Sequence, residues 1–264
     1  MRLPLAACRR TLAQALEGSG KILRRHFGRA RVSFKGRANM VTQADLESQG
    51  WILSLIRSRF PDHDYLAEED GAKKTGARHV WVVDPLDGTT NYAHGYPVCC
   101  VSIALLEGVR PLLAGVYDPF REEVFLAEAG AGASLNGRSL RVSKARRLSD
   151  SLLITGFAYD RAERSAYYAE IFRDVLTRCH DLRRSGSAAL DLAWVAAGRA
   201  DGFWEQELKP WDVAAGLLLV REAGGRVGDF DGKGWDRLEC FGRRTLATNG
   251  RLHAELATVL RRHP

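Results

Sequence analysis

No apolar run in this 264-residue chain approaches the roughly 20 residues a membrane-spanning helix needs. The longest, Val98 to Leu106, reads as a strand, so no membrane association is expected. Five cysteines (Cys8, Cys99, Cys100, Cys179 and Cys240) form no CxxC pair, and their odd number suits a reduced chain better than a disulfide framework. A cytoplasmic protein is the expectation. Leu5-Ala6-Ala7-Cys8 imitates a lipoprotein cleavage box, yet the apolar stretch before Cys8 starts only at Leu3, short of the roughly 7 to 15 residues of a secretory segment. The 7 histidines show no HxxxH or HExxH spacing, so His63, His79 and His94 are left out of any metal site. Proline is sparse at 8 residues, and there is no internal repeat, long linker or low-complexity tract.

A surplus of positive charge is missing from most of the chain as well. The formal net charge is +7, but residues 1 to 40 hold ten Lys and Arg against the single acid Glu17, leaving 29 basic and 31 acidic residues in the rest. A nucleic-acid-binding chain that is basic throughout is thereby excluded, because a phosphate backbone needs basic residues along a contact surface. A short basic arm is retained as an expectation. With 45% hydrophobic and 27% charged residues, the chain can bury a substantial core.

Helical spacing of Leu5, Cys8, Leu12, Leu16, Ser19, Leu23 and Phe27 predicts an amphipathic helix ending at Gly28. After a turn at Lys35-Gly36, a second helix is expected from Gln43 to Phe60, with Leu46, Leu53, Ile56 and Phe60 as its apolar stripe and Pro61 as its stop. Strands are expected at Tyr65 to Ala67, His79 to Val83, Cys99 to Leu106, Leu112 to Tyr117, Glu123 to Ala127 and Ser151 to Thr155. Further helices are expected at Ala162 to Thr177, Ala188 to Ala197, Val213 to Glu222 and Arg251 to Arg261. Adjacent strands followed by alternating strand and helix imply layered sheets with helices between and outside them.

The segment that carries chemistry is Trp81-Val82-Val83-Asp84-Pro85-Leu86-Asp87-Gly88-Thr89-Thr90-Asn91. An apolar strand ends in an acid, Pro85 stiffens the exit, and a second acid opens Gly-Thr-Thr. Two carboxylates beside the free N–H groups of a new turn suit a hard cation and a phosphate together. The same letters also fit a strand-to-turn connection with an Asp-Gly turn and an Asp cap. Glu68-Glu69-Asp70 emerges from another strand end, and Asp212 lies in the first turn of a helix built from small residues. Taken singly, these read as a solvated loop and a capping acid.

Together, Glu68-Glu69, the Asp84 to Asn91 segment, Trp211-Asp212-Val213-Ala214-Ala215-Gly216 and Glu222-Ala223-Gly224-Gly225 resemble the inositol monophosphatase family over nearly the whole chain. Arg183-Arg184-Ser185-Gly186-Ser187-Ala188 and Lys209-Pro210-Trp211-Asp212 align it with bacterial SuhB-type members. The resemblance implies an alternating αβαβα sandwich shared with fructose-1,6-bisphosphatases. It also implies one domain in two sub-halves, residues 1–150 for metal and phosphate and 151–264 for substrate.

The same resemblance implies a site. Glu68, Asp84, Asp87 and Asp212, with the carbonyl of Leu86, correspond to ligands of two or three Mg²⁺ ions. Asp84 is expected to bridge two of them. Phosphate would lie near Gly88 and Thr89, and Asp45 would pair with Thr89 to activate water. Gly186, Ser187, Ala188 and Glu205 match positions that hold inositol hydroxyls, alongside Asp87 and Asp212. The implied activity is Mg²⁺-dependent hydrolysis of a phosphate monoester, foremost an inositol monophosphate. Adenosine 3′,5′-bisphosphate, fructose 1,6-bisphosphate and histidinol phosphate are the alternatives, since fold does not settle substrate. A homodimer is also implied. The basic first forty residues and Arg183-Arg184 raise a binding role toward RNA or transcription machinery, set against the commoner case of a solvated charged face.

Overall fold

The computed structural model describes residues 3–29, 31–34 and 40–263. The turn expected at Lys35-Gly36 lies outside them. The chain opens with helix α1 (Leu5–His26), a short hairpin of β1 (Val32–Phe34) and β2 (Met40–Thr42), and helix α2 (Gln43–Arg59). An eight-stranded sheet follows, formed by β3 (Asp64–Ala67), β4 (Gly71–Lys73), β5 (His79–Asp87), β6 (Cys100–Glu107), β7 (Arg110–Asp118), β8 (Glu123–Glu128), β9 (Gly132–Leu135) and β10 (Arg138–Ser139). The short helix α3 (Thr89–Ala93) leaves the end of β5. A second sheet of five strands has the order β12 (Asp181–Arg183), β11 (Leu152–Thr155), β13 (Gly202–Gln206), β15 (Arg244–Thr248), β14 (Arg226–Gly228). Its helices are α4 (Ser165–Leu176), α5 (Ala188–Ala196), α6 (Pro210–Glu222) and α7 (His253–Leu260).

The layers follow from which face each residue serves. Along β6, Val101, Ile103 and Leu105 pack with α1 and α2, whereas Cys100, Ala104 and Leu106 pack with α5 and α6. Side chains alternate across a strand, so a strand covered on both faces must be apolar at every position. This is why Cys99 to Leu106 has no polar alternation. Helices α4 and α7 close the outer face of the five-stranded sheet through Ile171, Val175, Leu256 and Leu260. The order of layers is therefore α1/α2, sheet, α5/α6, sheet, α4/α7, the expected αβαβα sandwich.

Helix α6 shows the consequence of lying between two sheets: every residue from Val213 to Val220 is buried. A helix hydrophobic all round is an interior helix. Its contact with α5 is so close that a Cβ on Gly216 would lie 2.5 Å from the Cβ of Leu192.

Two expectations change. Leu46 does not belong to the buried stripe of α2; it is 57% exposed, and the helix instead buries Ala44, Asp45, Ser48, Ile52, Leu53 and Ile56. The reason is the N-terminal cap: the Thr42 hydroxyl accepts the Ala44 N–H, and Asp45 accepts the Thr42 N–H, which turns Asp45 inward and Leu46 outward. Strands β13 and β15, absent from the sequence reading, are the paired inner strands of the second sheet. The basic residues of α1 lie partly against the body. Arg9 pairs with Glu128, Arg25 with Glu47, and Arg24 donates to the Tyr117 hydroxyl at 2.8 Å and the Pro119 carbonyl at 3.1 Å.

Gly216→Val tests the α5–α6 contact. Leu192 meets the new side chain with its own Cβ and cannot rotate away, so a loss of about 2–3 kcal/mol is expected from overpacking. Urea unfolding should show a lower midpoint at an unchanged slope.

Candidate metal centre and active site

The site begins with a fault in the sheet. In the β5–β6 ladder Asp84 pairs with Ser102 and Asp87 with Cys100, so three steps on β5 match two on β6. Residues three apart in a regular strand face opposite ways, and the extra residue of a bulge brings them to one side. Pro85, which has no N–H to give to a ladder, sits inside the bulge. Asp84 and Asp87 thereby converge with Asp212 from the first turn of α6, and one ligand atom from each lies within 4.8 Å of the others.

Each carboxylate is held from behind. Asp84 Oδ1 accepts the Leu86 N–H at 2.9 Å, and Asp212 Oδ2 accepts the Lys209 N–H at 2.7 Å. Asp87 Oδ2 accepts the Ser187 hydroxyl at 2.8 Å and the Ala189 N–H at 2.7 Å, with the Cys100 thiol 3.9 Å away. Gly88 then turns the chain with φ +93°, where a Cβ would lie 2.9 Å from the Val98 carbonyl oxygen. Beyond it the Thr89 hydroxyl is 3.0 Å from both Asp45 Oδ1 and the Leu86 carbonyl, either of which can take its single proton.

These groups open on a cavity of about 550 Å³ whose walls include Glu68, Asp84, Asp87, Thr89, Glu205 and Asp212. Leu86, Gly88, Gly186 and Ala188 also line it. Asp45 and Ser187 do not: both are buried, Asp45 behind Thr89 and Ser187 behind Asp87. The residue-by-residue reading missed part of the wall, notably Gly156, Tyr159 and Arg161. The Glu205 carboxylate lies where a Cβ on Gly156 would be, within 2.0 Å, so the glycine after β11 makes its room. A glycine closing a strand was the one local signal for that contact. Cys99 is core packing, as expected. Cys100 also packs in the core, but its thiol reaches Asp87 and Ser187.

Burial, followed by the charges of Glu68, Asp87 and Asp212, pushes Asp84 well above the usual carboxylate range. Burial, then Asp87, pushes Asp212 up to about 8. Asp87 also rises through burial, against the opposing hydrogen bonds from Ser187 and Ala189. Burial alone dominates the rise of Asp45 to about 6 and of Glu205 to about 8, Asp191 adding to the latter. Among the described residues no ion pair reaches Asp84, Asp87 or Asp212. An all-oxygen cluster of mutually repelling carboxylates fits a hard divalent cation such as Mg²⁺, which neutralises the repulsion.

The raised carboxyls set the pH dependence. They hold protons more tightly folded than unfolded, so the metal-free protein loses stability as pH rises from about 4, the unfolded carboxyl range, through the raised folded values. Thermal unfolding in EDTA should show a falling midpoint across this window, with the Asp212 contribution lost as the pH passes its value of about 8. Saturating Mg²⁺ should reverse the fall and release protons on binding, measurable by calorimetry in buffers of different ionisation enthalpy. A midpoint indifferent to Mg²⁺ at alkaline pH would contradict the metal assignment.

Known proteins resemble this chain over nearly its whole length. The Inositol monophosphatase family matches residues 5–264. The chain is 48% identical over 232 residues to the inositol-1-monophosphatase of Synechocystis, covering 87% of this chain and 80% of that protein. It is 43% identical over 231 residues to the Nus factor SuhB of Xylella fastidiosa, covering 86% and 84%. The crystal structure of the extragenic suppressor protein suhB from Bartonella henselae superposes with a TM-score of 0.91 at 38% identity, covering 98% of this chain and all of that one. Among the described residues, no helix is long and apolar enough to cross a membrane. The chain belongs to the inositol monophosphatase family.

Proposed function

We propose that the protein hydrolyses inositol monophosphate to inositol and phosphate with two or three Mg²⁺ ions. The observation that carries this reading is the convergence of Asp84, Asp87 and Asp212 in a cavity that also holds Thr89 and Glu205. Glu68 and the Leu86 carbonyl complete the proposed ligand set. Bound there, Mg²⁺ would lower the pKa of a water and neutralise charge on the leaving oxygen.

The chain's own residues have distinct parts in the reaction. Water attacks phosphorus, the ester P–O bond breaks with its electron pair going to the inositol oxygen, and that oxygen takes up a proton from solvent. The water proton passes to Thr89 Oγ as Thr89 gives its own proton to Asp45 Oδ1, 3.0 Å away. An acid raised to about 6 holds that proton better than an ordinary aspartate while remaining largely ionised at neutral pH. The backbone N–H groups of Gly88 and Thr89 are assigned to the phosphate. Gly186, Ala188 and Glu205 are assigned to the polyol. Raised to about 8, Glu205 is mostly protonated at neutral pH, so it can donate to one hydroxyl and accept from another without repelling the dianion. In this reading residues 1–150 supply most of the metal and phosphate contacts and residues 151–264 the substrate contacts, with Asp212 crossing between them.

Phosphate release from inositol 1-phosphate, adenosine 3′,5′-bisphosphate, fructose 1,6-bisphosphate and histidinol phosphate, each with Mg²⁺, tests the substrate. Inositol 1-phosphate should have the highest kcat/KM; a clear preference for the nucleotide would overturn the assignment. Asp87→Asn keeps size and removes charge, and should abolish Mg²⁺-dependent turnover while the protein still unfolds cooperatively. Thr89→Val should cut kcat by about 10²–10⁴-fold, the usual contribution of a positioned proton-transfer group.

A further inference from the structure

Helix α5 starts without the cap its sequence offers. Ser187 occupies the N-cap position in extended conformation, and a serine there ordinarily accepts an N–H from its own helix. Here it makes no such bond. Its hydroxyl is donated to Asp87 Oδ2 at 2.8 Å, and the same oxygen accepts the Ala189 N–H at 2.7 Å. An aspartate 100 residues earlier in the chain is therefore the cap of α5. The backbone N–H of Ala188, also in the first turn of α5, adds a further hydrogen bond to the Asp87 carboxylate. Ser187 is 1% exposed and lies behind the cavity wall, whereas its neighbours Gly186 and Ala188 form part of that wall. A second tie holds the same segment: Asn91 Nδ2 donates to the Ser185 carbonyl at 2.8 Å and to the Val98 carbonyl at 2.8 Å.

We infer that Ser187 is a positioning residue for the metal centre: its hydroxyl and the α5 N-terminus fix Asp87 Oδ2 and so set the orientation in which the Asp87 carboxylate is offered to the cation. The inference rests on Asp87 being a cation ligand, as proposed above. It gives Ser187 a part different from the polyol contact expected of it, since a hydroxyl turned into the protein and engaged by a carboxylate is not presented to substrate. It also ties the centre to closure of the sandwich. Asp87 comes from the eight-stranded sheet and its clamp from the helix layer, so the ligand takes its final orientation only when the two pack. Groups that orient a ligand from behind typically change metal affinity by 10–100-fold when removed.

The test is calorimetric titration of Mg²⁺ into the metal-stripped full-length protein. Ser187→Ala should weaken Mg²⁺ binding by about 10–100-fold. Ser187→Thr, which keeps the hydroxyl, should bind close to wild type. At saturating Mg²⁺ the KM of Ser187→Ala for inositol 1-phosphate should be unchanged. Wild-type Mg²⁺ affinity with a raised KM would mean that the hydroxyl touches substrate, and would overturn the inference. Wild-type affinity with a lowered unfolding midpoint in EDTA would assign Ser187 a packing role only, and would overturn it equally. Should Ser187→Ala not fold, Ser187→Cys keeps the volume with a poorer donor; intermediate Mg²⁺ affinity supports the inference and full affinity refutes it. Asp87→Asn separates the two levels. If it binds Mg²⁺ like wild type, the ligand assignment itself fails; if it loses Mg²⁺ and Ser187→Ala does not, only the positioning role fails.

Discussion

Three carboxylates within 4.8 Å of one another, two of them buried, repel at a point where water screens them poorly. Much of the fold around the site serves to hold that arrangement. Each acid is restrained by a donor that satisfies one oxygen: the Leu86 N–H for Asp84, the Lys209 N–H for Asp212, and Ser187 with Ala189 for Asp87. Two of these three acids sit beside a helix start, where unpaired N–H groups and the helix dipole favour negative charge. The protein thus lowers the cost of the cluster with backbone dipoles and leaves the remaining charge for a cation.

The layer order follows from the same need. Asp84 and Asp87 belong to the first sheet, Asp212 to a helix between the sheets, and Glu205 to the inner strand of the second sheet. A single sheet face could not bring them together, because the bulge places only Asp84 and Asp87. The buried α5–α6 layer is what brings Asp212 and the Asp87 clamp to the end of β5. Its small residues, Ala214, Ala215 and Gly216 against Leu192, let the two helices approach closely enough to do so. Packing density and site geometry are therefore one constraint, and enlarging Gly216 would disturb both.

Local chemistry was legible in the sequence where the deciding interactions were local. The apolar strand running into Asp84, the Pro85 that interrupts its ladder and the Gly88 turn are all readable from neighbouring residues, although the strand itself continues through a bulge to Asp87. Leu46 was misread because helical periodicity alone assigned it inward, while the Asp45 cap rotated the helix by one position. β13 was invisible because its burial on both faces comes from helices outside the segment, Phe203 packing with α5 and α6 and Trp204 with α4 and α7, rather than from a pattern within Gly202–Gln206. The Ser187–Asp87 bond lay beyond any local reading for the same reason. Nothing within a few residues of Ser187 says that its hydroxyl will leave its own helix for an acid 100 positions away.

Charge is settled by placement rather than by total. The net +7 combines a strongly basic first segment with a body near neutrality, yet Arg9, Arg24 and Arg25 are directed at groups of that body. Much of the charge along α1 therefore serves to fasten the helix over the first sheet, where α1 buries Leu12, Leu16 and Leu23. The cavity uses its cations differently. Arg161, Arg184 and Lys209 line it together with the acids, and none of the three has an ion pair with Asp84, Asp87 or Asp212 among the described residues. Long basic side chains that keep their distance from the carboxylates add positive potential without competing for the ligand oxygens. Once divalent cations occupy the cluster they become the largest local charges, and the cavity changes from a site that repels anions to one that attracts a phosphate dianion. The repulsion that makes the empty cluster costly is the same property that makes the loaded one selective for its substrate's charge.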